Sequence, residues 1–92
     1  MTIPARVLGR TGAEVSVLGY GAMELRGRFD GPASRLSGPA IADEDAGRLL
    51  NELLDAGVNL IDTSVDYGRS EELIGRYLSS RRSEFFLASK CG

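Results

Sequence analysis

The sequence predicts an α/β protein built around parallel strands. Three observations carry that prediction. Short apolar runs at residues 58–61 and 85–89 have the length of strands. An amphipathic, helix-forming stretch precedes each of them. Near the amino terminus a glycine-bracketed reversal separates two further apolar segments. Strands that alternate with amphipathic helices form right-handed βαβ units and a parallel sheet.

The elements follow in order. Residues 6–21 read Arg-Val-Leu-Gly-Arg-Thr-Gly-Ala-Glu-Val-Ser-Val-Leu-Gly-Tyr-Gly. Apolar segments around Val7-Leu8 and from Val15 to Leu18 flank Gly9-Arg10-Thr11-Gly12, which predicts a hairpin, because glycine accepts the positive φ of a tight reversal. The second arm leads to Gly19-Tyr20-Gly21, where a buried strand end is expected. Residues 24–40 contain Gly27, Gly31, Gly38, Pro32 and Pro39, with Arg26, Arg28 and Arg35. This composition predicts a long loop and leaves open a functional loop or plain surface chain. Ala46, Leu49, Leu50, Leu53 and Leu54 then recur at i, i+3, i+4, i+7 and i+8, the stripe of an amphipathic helix. Asp43 is its expected N-cap and Gly57 its expected C′ stop. The strand at 58–61 closes on Asp62. A second helix is expected from a capping Ser70 through Glu71, Glu72, Leu73, Ile74, Tyr77 and Leu78. The strand at 85–89 closes on Lys90.

Composition narrows the classes of function. With 92 residues and 42% of them hydrophobic, the chain is expected to form one domain over residues 1–92 with a packed core. Its 13 acidic and 11 basic residues give a net charge of −2. That balance supports neither nucleic-acid nor anionic-membrane binding. Cys91 is the only cysteine, so no internal disulfide forms and a cytoplasmic location is expected. No apolar stretch has the length of a signal peptide or a membrane span.

Two ionisable residues close consecutive predicted strands. Neighbouring parallel strands lie about 4.8 Å apart, so Asp62 and Lys90 are able to meet at one end of the sheet. In barrels that end carries the active site. Tyr67, five residues beyond Asp62, is able to fold back over the same rim. An ammonium beside a phenol favours the phenolate and makes the phenol a better acid at neutral pH. A carboxylate would hold the ammonium in place. Spacing by itself leaves a second reading open: Asp62 as a turn or capping carboxylate, Tyr67 as a half-buried packing residue, Lys90 as a solvated charge. Cys91 likewise reads either as a thiol beside the site or as a small residue at a strand end.

The stretch GVNLIDTSVDYGRSEELIG, residues 57–75, resembles the signature of the aldo-keto reductase family around its catalytic aspartate and tyrosine. RVLGRTGAEVSVLGYGAM, residues 6–23, is similar to that family's amino-terminal hairpin and first barrel strand. EFFLASKCG resembles its third strand with the catalytic lysine. The resemblance implies the amino-terminal portion of a (β/α)8 TIM barrel: a hairpin, three parallel strands and two helices. It implies an oxidoreductase that reduces small aldehydes or ketones with NADPH, with no metal. It assigns Asp62, Tyr67 and Lys90 as catalytic, with Tyr67 the proton donor. Gly21, Met23 and Asp62 are assigned to the cofactor.

Ala22 departs from the family, many of whose members carry threonine there. The Gly-x-Gly-x-x-Gly fingerprint is absent, as it is from this family, which binds its cofactor without a Rossmann fold. The family's fourth catalytic residue, a histidine on the fourth strand, has no counterpart, because the sequence contains no histidine. A complete barrel takes about 250 residues. The expectation is therefore a truncated product or partial sequence of a full enzyme. The alternative is a non-catalytic remnant, or a split piece that needs a complementary chain.

Overall fold

The computed structural model of the chain describes residues 2–26 and 41–91. Gly9 and Gly12 take positive φ, +52° and +74°, and the chain reverses between them as expected. The Thr11 hydroxyl clamps this turn, donating to the Leu8 carbonyl at 2.6 Å and accepting the Ala13 N–H at 3.0 Å. Strand β1 (Ala5–Val7) consequently pairs antiparallel with β2 (Glu14–Ser16), Arg6 opposite Val15.

Three short strands form a separate parallel sheet in the order β3 (Tyr20–Gly21), β4 (Leu60–Asp62), β5 (Phe86–Ala88). Asn59 joins the hairpin to it. Its side-chain oxygen accepts the Ser16 N–H at 2.7 Å, its amide donates to the Glu14 carbonyl at 2.9 Å, and its own N–H donates to the Ser16 hydroxyl at 3.0 Å. A strand-end asparagine thus supplies the hydrogen bonds that the two sheets do not share.

Helix α1 (Asp43–Asp55) and helix α2 (Ser70–Leu78) pack on each other and, in one core cluster, against Ile61 of β4. Leu50, Ile61, Leu73 and Leu78 are essentially inaccessible and form one cluster with Leu25, Ala22 and Phe85. Successive residues of a strand face opposite ways. Ile61 therefore enters the helix layer, while Asp62 is exposed. Gly57 ends α1 at φ +100°. The Gly57 N–H reaches the Leu54 carbonyl at 3.1 Å and the Val58 N–H the Leu53 carbonyl at 3.0 Å, the two bonds of a Schellman stop.

Several expectations need correction. The N-cap of α1 is Ala42, and Asp43 is already helical. Its carboxylate is engaged by Arg69 at 2.8 and 2.9 Å and by Arg76 at 3.3 Å, which outcompete the helix's own N–H groups. Ser70 is likewise the first residue of α2, not its cap; its hydroxyl is committed elsewhere. The strand begins at Leu60, not Val58, because the Val58 N–H is used in the Schellman turn and the Asn59 N–H by the Ser16 hydroxyl. Of the loop predicted over 24–40, Glu24, Leu25 and Arg26 belong to a turn of 3-10 helix (Ala22–Arg26) in which Ala22 and Leu25 are buried. Gly27, Arg28, Gly31, Pro32, Arg35, Gly38 and Pro39 lie outside the described residues. The expected buried strand end is half-buried at Tyr20, which is level with Ile61 and packs against the core, and exposed at Gly21, which is level with the exposed Asp62. Strand β5 is also exposed along its length, Phe86 and Leu87 included.

Gly47 sits buried inside α1, where propensity favours alanine by about 1 kcal/mol. A Cβ there would lie 2.4 Å from Cδ1 of the Tyr77 ring, so packing overrides propensity. Gly47→Ala is expected to destabilise the fold by about 1–3 kcal/mol, read as a lower urea midpoint. An unchanged or higher midpoint would show that the α1–α2 contact is looser than described.

Candidate active site

The site grows from the register of the parallel sheet. Gly21 is level with Asp62, and Asp62 with Ala88. All three strands therefore stop on one line at their carboxyl ends. Hydrogen bonding continues past that line: the Thr63 N–H donates to the Ala88 carbonyl at 2.8 Å and the Val65 N–H to the Lys90 carbonyl at 3.1 Å. Two residues beyond β5, Lys90 is thereby held against the loop that leaves β4.

Its ammonium has three acceptors. Asp62 lies at 3.2 Å (Oδ2) and 3.4 Å (Oδ1), and the Thr63 carbonyl at 3.0 Å. The same Nζ stands 4.9 Å from the centre of the Tyr67 ring, within cation–π range. Partial desolvation works against the charge on Lys90. The Tyr67 hydroxyl and then Asp62 outweigh it, and the ammonium's pKa ends above the ordinary lysine value. The Lys90 and Asp62 side chains are about half exposed, so water screens the pair and the backbone acceptor on Thr63 matters to its order.

Tyr67 reaches this rim through a tight loop. Its N–H donates to the Ser64 carbonyl at 3.1 Å, and its carbonyl accepts the Ser70 N–H at 2.9 Å. Gly68 follows at φ +50°. A Cβ on Gly68 would stand 2.0 Å from the Arg26 carbonyl oxygen, so only glycine permits the close pass over the 3-10 turn. The Arg69 N–H then binds that same carbonyl at 3.0 Å.

The structure thus brings Asp62, Tyr67 and Lys90 together, as their strand-end and loop positions predict. Gly21 pairs with Asp62 at the same rim, and a Cβ there would meet no atom within 4 Å. Met23 lies two residues on, in the 3-10 turn, with its side chain exposed. Cys91 is a free, exposed thiol next to Lys90. Sequence reasoning missed three buried hydroxyls under the site, on Thr63, Ser64 and Ser70. It also left unused one signal: Lys90 is the only lysine among eleven basic residues.

Comparison with known proteins gives the family and the fold. The aldo/keto reductase family model matches residues 17–92. L-galactose dehydrogenase of Arabidopsis thaliana is 38% identical over 98% of this chain and 27% of its own length. Pyridoxal 4-dehydrogenase of Microbacterium luteolum is 37% identical over 95% of this chain and 23% of its own. The crystal structure of a putative aldo-keto reductase from Pseudomonas aeruginosa superposes with a TM-score of 0.79 at 41% identity, over 96% of this chain and 33% of that one. An aldo-keto reductase from Bacillus halodurans, in its holo form, gives 0.74 at 32% identity, over 98% and 26%. The chain belongs to the aldo/keto reductase family, and its hairpin, three parallel strands and two helices are the amino-terminal portion of that family's (β/α)8 barrel. It spans about a quarter to a third of the length of these relatives.

A single lysine makes the central electrostatic statement measurable. With carbon-13 lysine, the lone Cε resonance is expected to titrate above the free value of about 10.4, and Asp62→Asn to lower its midpoint. Because folding raises this pKa, the associated stability is complete below the ordinary lysine range and is lost as pH rises through the folded value. A midpoint unmoved by Asp62→Asn would show that the ion pair is not formed in solution.

Proposed function

We propose that these residues supply the acid-catalytic part of an NADPH-dependent oxidoreductase that interconverts small aldehydes or ketones and their alcohols in the cytoplasm. The observation that carries the proposal is the convergence of Asp62, Tyr67 and Lys90 on one rim, at the carboxyl ends of parallel strands. Reduction of a carbonyl builds negative charge on its oxygen, and a positioned acid must neutralise it. The Tyr67 hydroxyl donates that proton. Lys90, beside the ring, stabilises the phenolate left behind. Asp62 and the Thr63 carbonyl keep the ammonium charged and aimed.

The residues at the rim fit the nicotinamide end of the cofactor. Space is open above Gly21, Met23 offers an exposed apolar edge, and the Asp62 carboxylate can accept a ribose hydroxyl. Bound there, the nicotinamide would supply the hydride. Ala22 has no hydroxyl to offer it. Support for a small-molecule substrate comes from relatives whose names specify L-galactose and pyridoxal.

The exposed apolar residues of β5 favour a second reading, in which the chain acts only with a complementary piece. In that case residues 1–92 alone give no turnover, and activity appears on mixing with the missing part of a barrel.

Tyr67→Phe tests the proton donor, because it keeps the ring and removes only the hydroxyl. In the whole protein, turnover of para-nitrobenzaldehyde, followed by loss of NADPH absorbance, is expected to fall by about 10² to 10⁴. NADPH affinity, read by fluorescence quenching, is expected to stay near wild type. Lys90→Met is expected to cost a comparable factor. Wild-type turnover by Tyr67→Phe would mean that another acid does this work.

A further inference from the structure

Beneath the rim lies a hydroxyl pair for which the proposed chemistry has no use. Thr63 Oγ1 and Ser70 Oγ are 2.7 Å apart, and both residues are completely buried. Ser70 Oγ is also 2.9 Å from the Ala22 carbonyl. A carbonyl only accepts, so the single hydroxyl proton of Ser70 is spent on Ala22. Thr63 must then be the donor in the pair. The chain of bonds has one direction: Thr63 to Ser70 to Ala22.

Each member of this chain is attached to a different part of the site. Thr63 accepts the Lys90 ammonium on its own carbonyl at 3.0 Å and donates its N–H to Ala88 at 2.8 Å. The Ser70 N–H holds the Tyr67 carbonyl at 2.9 Å. Ala22 lies between Gly21 and Met23. We propose that Thr63 and Ser70 are positioning residues, a buried hydroxyl relay that sets Lys90 and Tyr67 against the Gly21–Met23 segment. The inference rests on the reading of Tyr67 as acid and of Gly21 and Met23 as the cofactor side. The relay ties those two halves of the reaction to a common reference inside the core, where water does not compete for either hydroxyl. Errors of about 1 Å in such placement cost on the order of a hundredfold in rate.

Thr63→Val keeps the shape of the side chain and removes the donor. Thr63→Ser keeps the donor and removes a methyl group. Both are compared with wild type and Tyr67→Phe in the whole protein, with NADPH and para-nitrobenzaldehyde across pH and with folding followed by circular dichroism. Thr63→Val is expected to fold and to lose about ten- to a hundredfold in kcat, with KM for NADPH within about twofold. The alkaline limb of its kcat profile is expected to move, because the Lys90–Tyr67 spacing has changed. Thr63→Ser is expected to recover most of the turnover. If Thr63→Val does not fold, Ser70→Ala makes the same cut from the helix side, and the same loss is expected of it.

Wild-type kcat and profile in the hydroxyl-less variant would overturn the inference. So would a Thr63→Ser as impaired as Thr63→Val, which would assign the effect to packing. The control separates this failure from the other. If Tyr67→Phe is inactive while Thr63→Val is normal, only the relay is wrong. If Tyr67→Phe is fully active, the acid assignment itself falls.

Discussion

The parallel register of β4 with both of its neighbours is the constraint on which the rest of the structure depends. It sets Gly21, Asp62 and Ala88 level. It also decides which way each β4 side chain faces. A slip of one residue would turn Asp62 into the layer of Leu50, Leu73 and Leu78 and expose Ile61 to water. A carboxylate buried there without a partner would be costly. The apolar layer beneath the sheet therefore enforces the alignment at its rim.

From that line the loops need only short reaches. Thr63 and Val65 extend the hydrogen bonding toward β5 and capture Lys90 before the chain departs. The loop carrying Tyr67 is fastened at its far end by Arg69. Its backbone N–H binds Arg26 at 3.0 Å, and its guanidinium grips Asp43 in a bidentate pair. Those Arg69 contacts hold the Asp43 carboxyl below the ordinary carboxylate range. The clamp thus adds stability above the unfolded carboxylate pKa and loses it as pH falls through the lower folded value. One arginine joins the start of α1, the 3-10 turn and the start of α2.

The site lies on one edge of a layer whose other side is covered by no element among the described residues. Helices cover the Ile61 side of the sheet. Phe86, level with Leu60, and Leu87, level with Ile61, face opposite sides of β5, and both are exposed. The family's barrel encloses inward-facing residues by closing its strands into a ring and covers outward-facing ones with its outer helices; among the described residues β5 pairs with β4 alone.

Much of this was legible in the sequence because it depends on neighbours close along the chain. The stripe of α1, the glycine stop at Gly57 and the turn between Gly9 and Gly12 all follow from local periodicity and permitted φ. Helix–strand alternation then places Asp62 and Lys90 at adjacent strand ends, and the signature around residues 57–75 carries the family. What local pattern could not decide was the partner of each polar side chain. Asp43 and Ser70 have the chemistry of helix caps. Their actual partners lie 26 residues away at Arg69 and 48 residues away at Ala22. Residues 24–26 of the turn at Ala22–Arg26 read as loop because the turn's packing against α2 is a contact of the same kind. A cap bonds within its own turn, and the sequence shows that possibility; only the folded chain brings a distant guanidinium or carbonyl close enough to displace it.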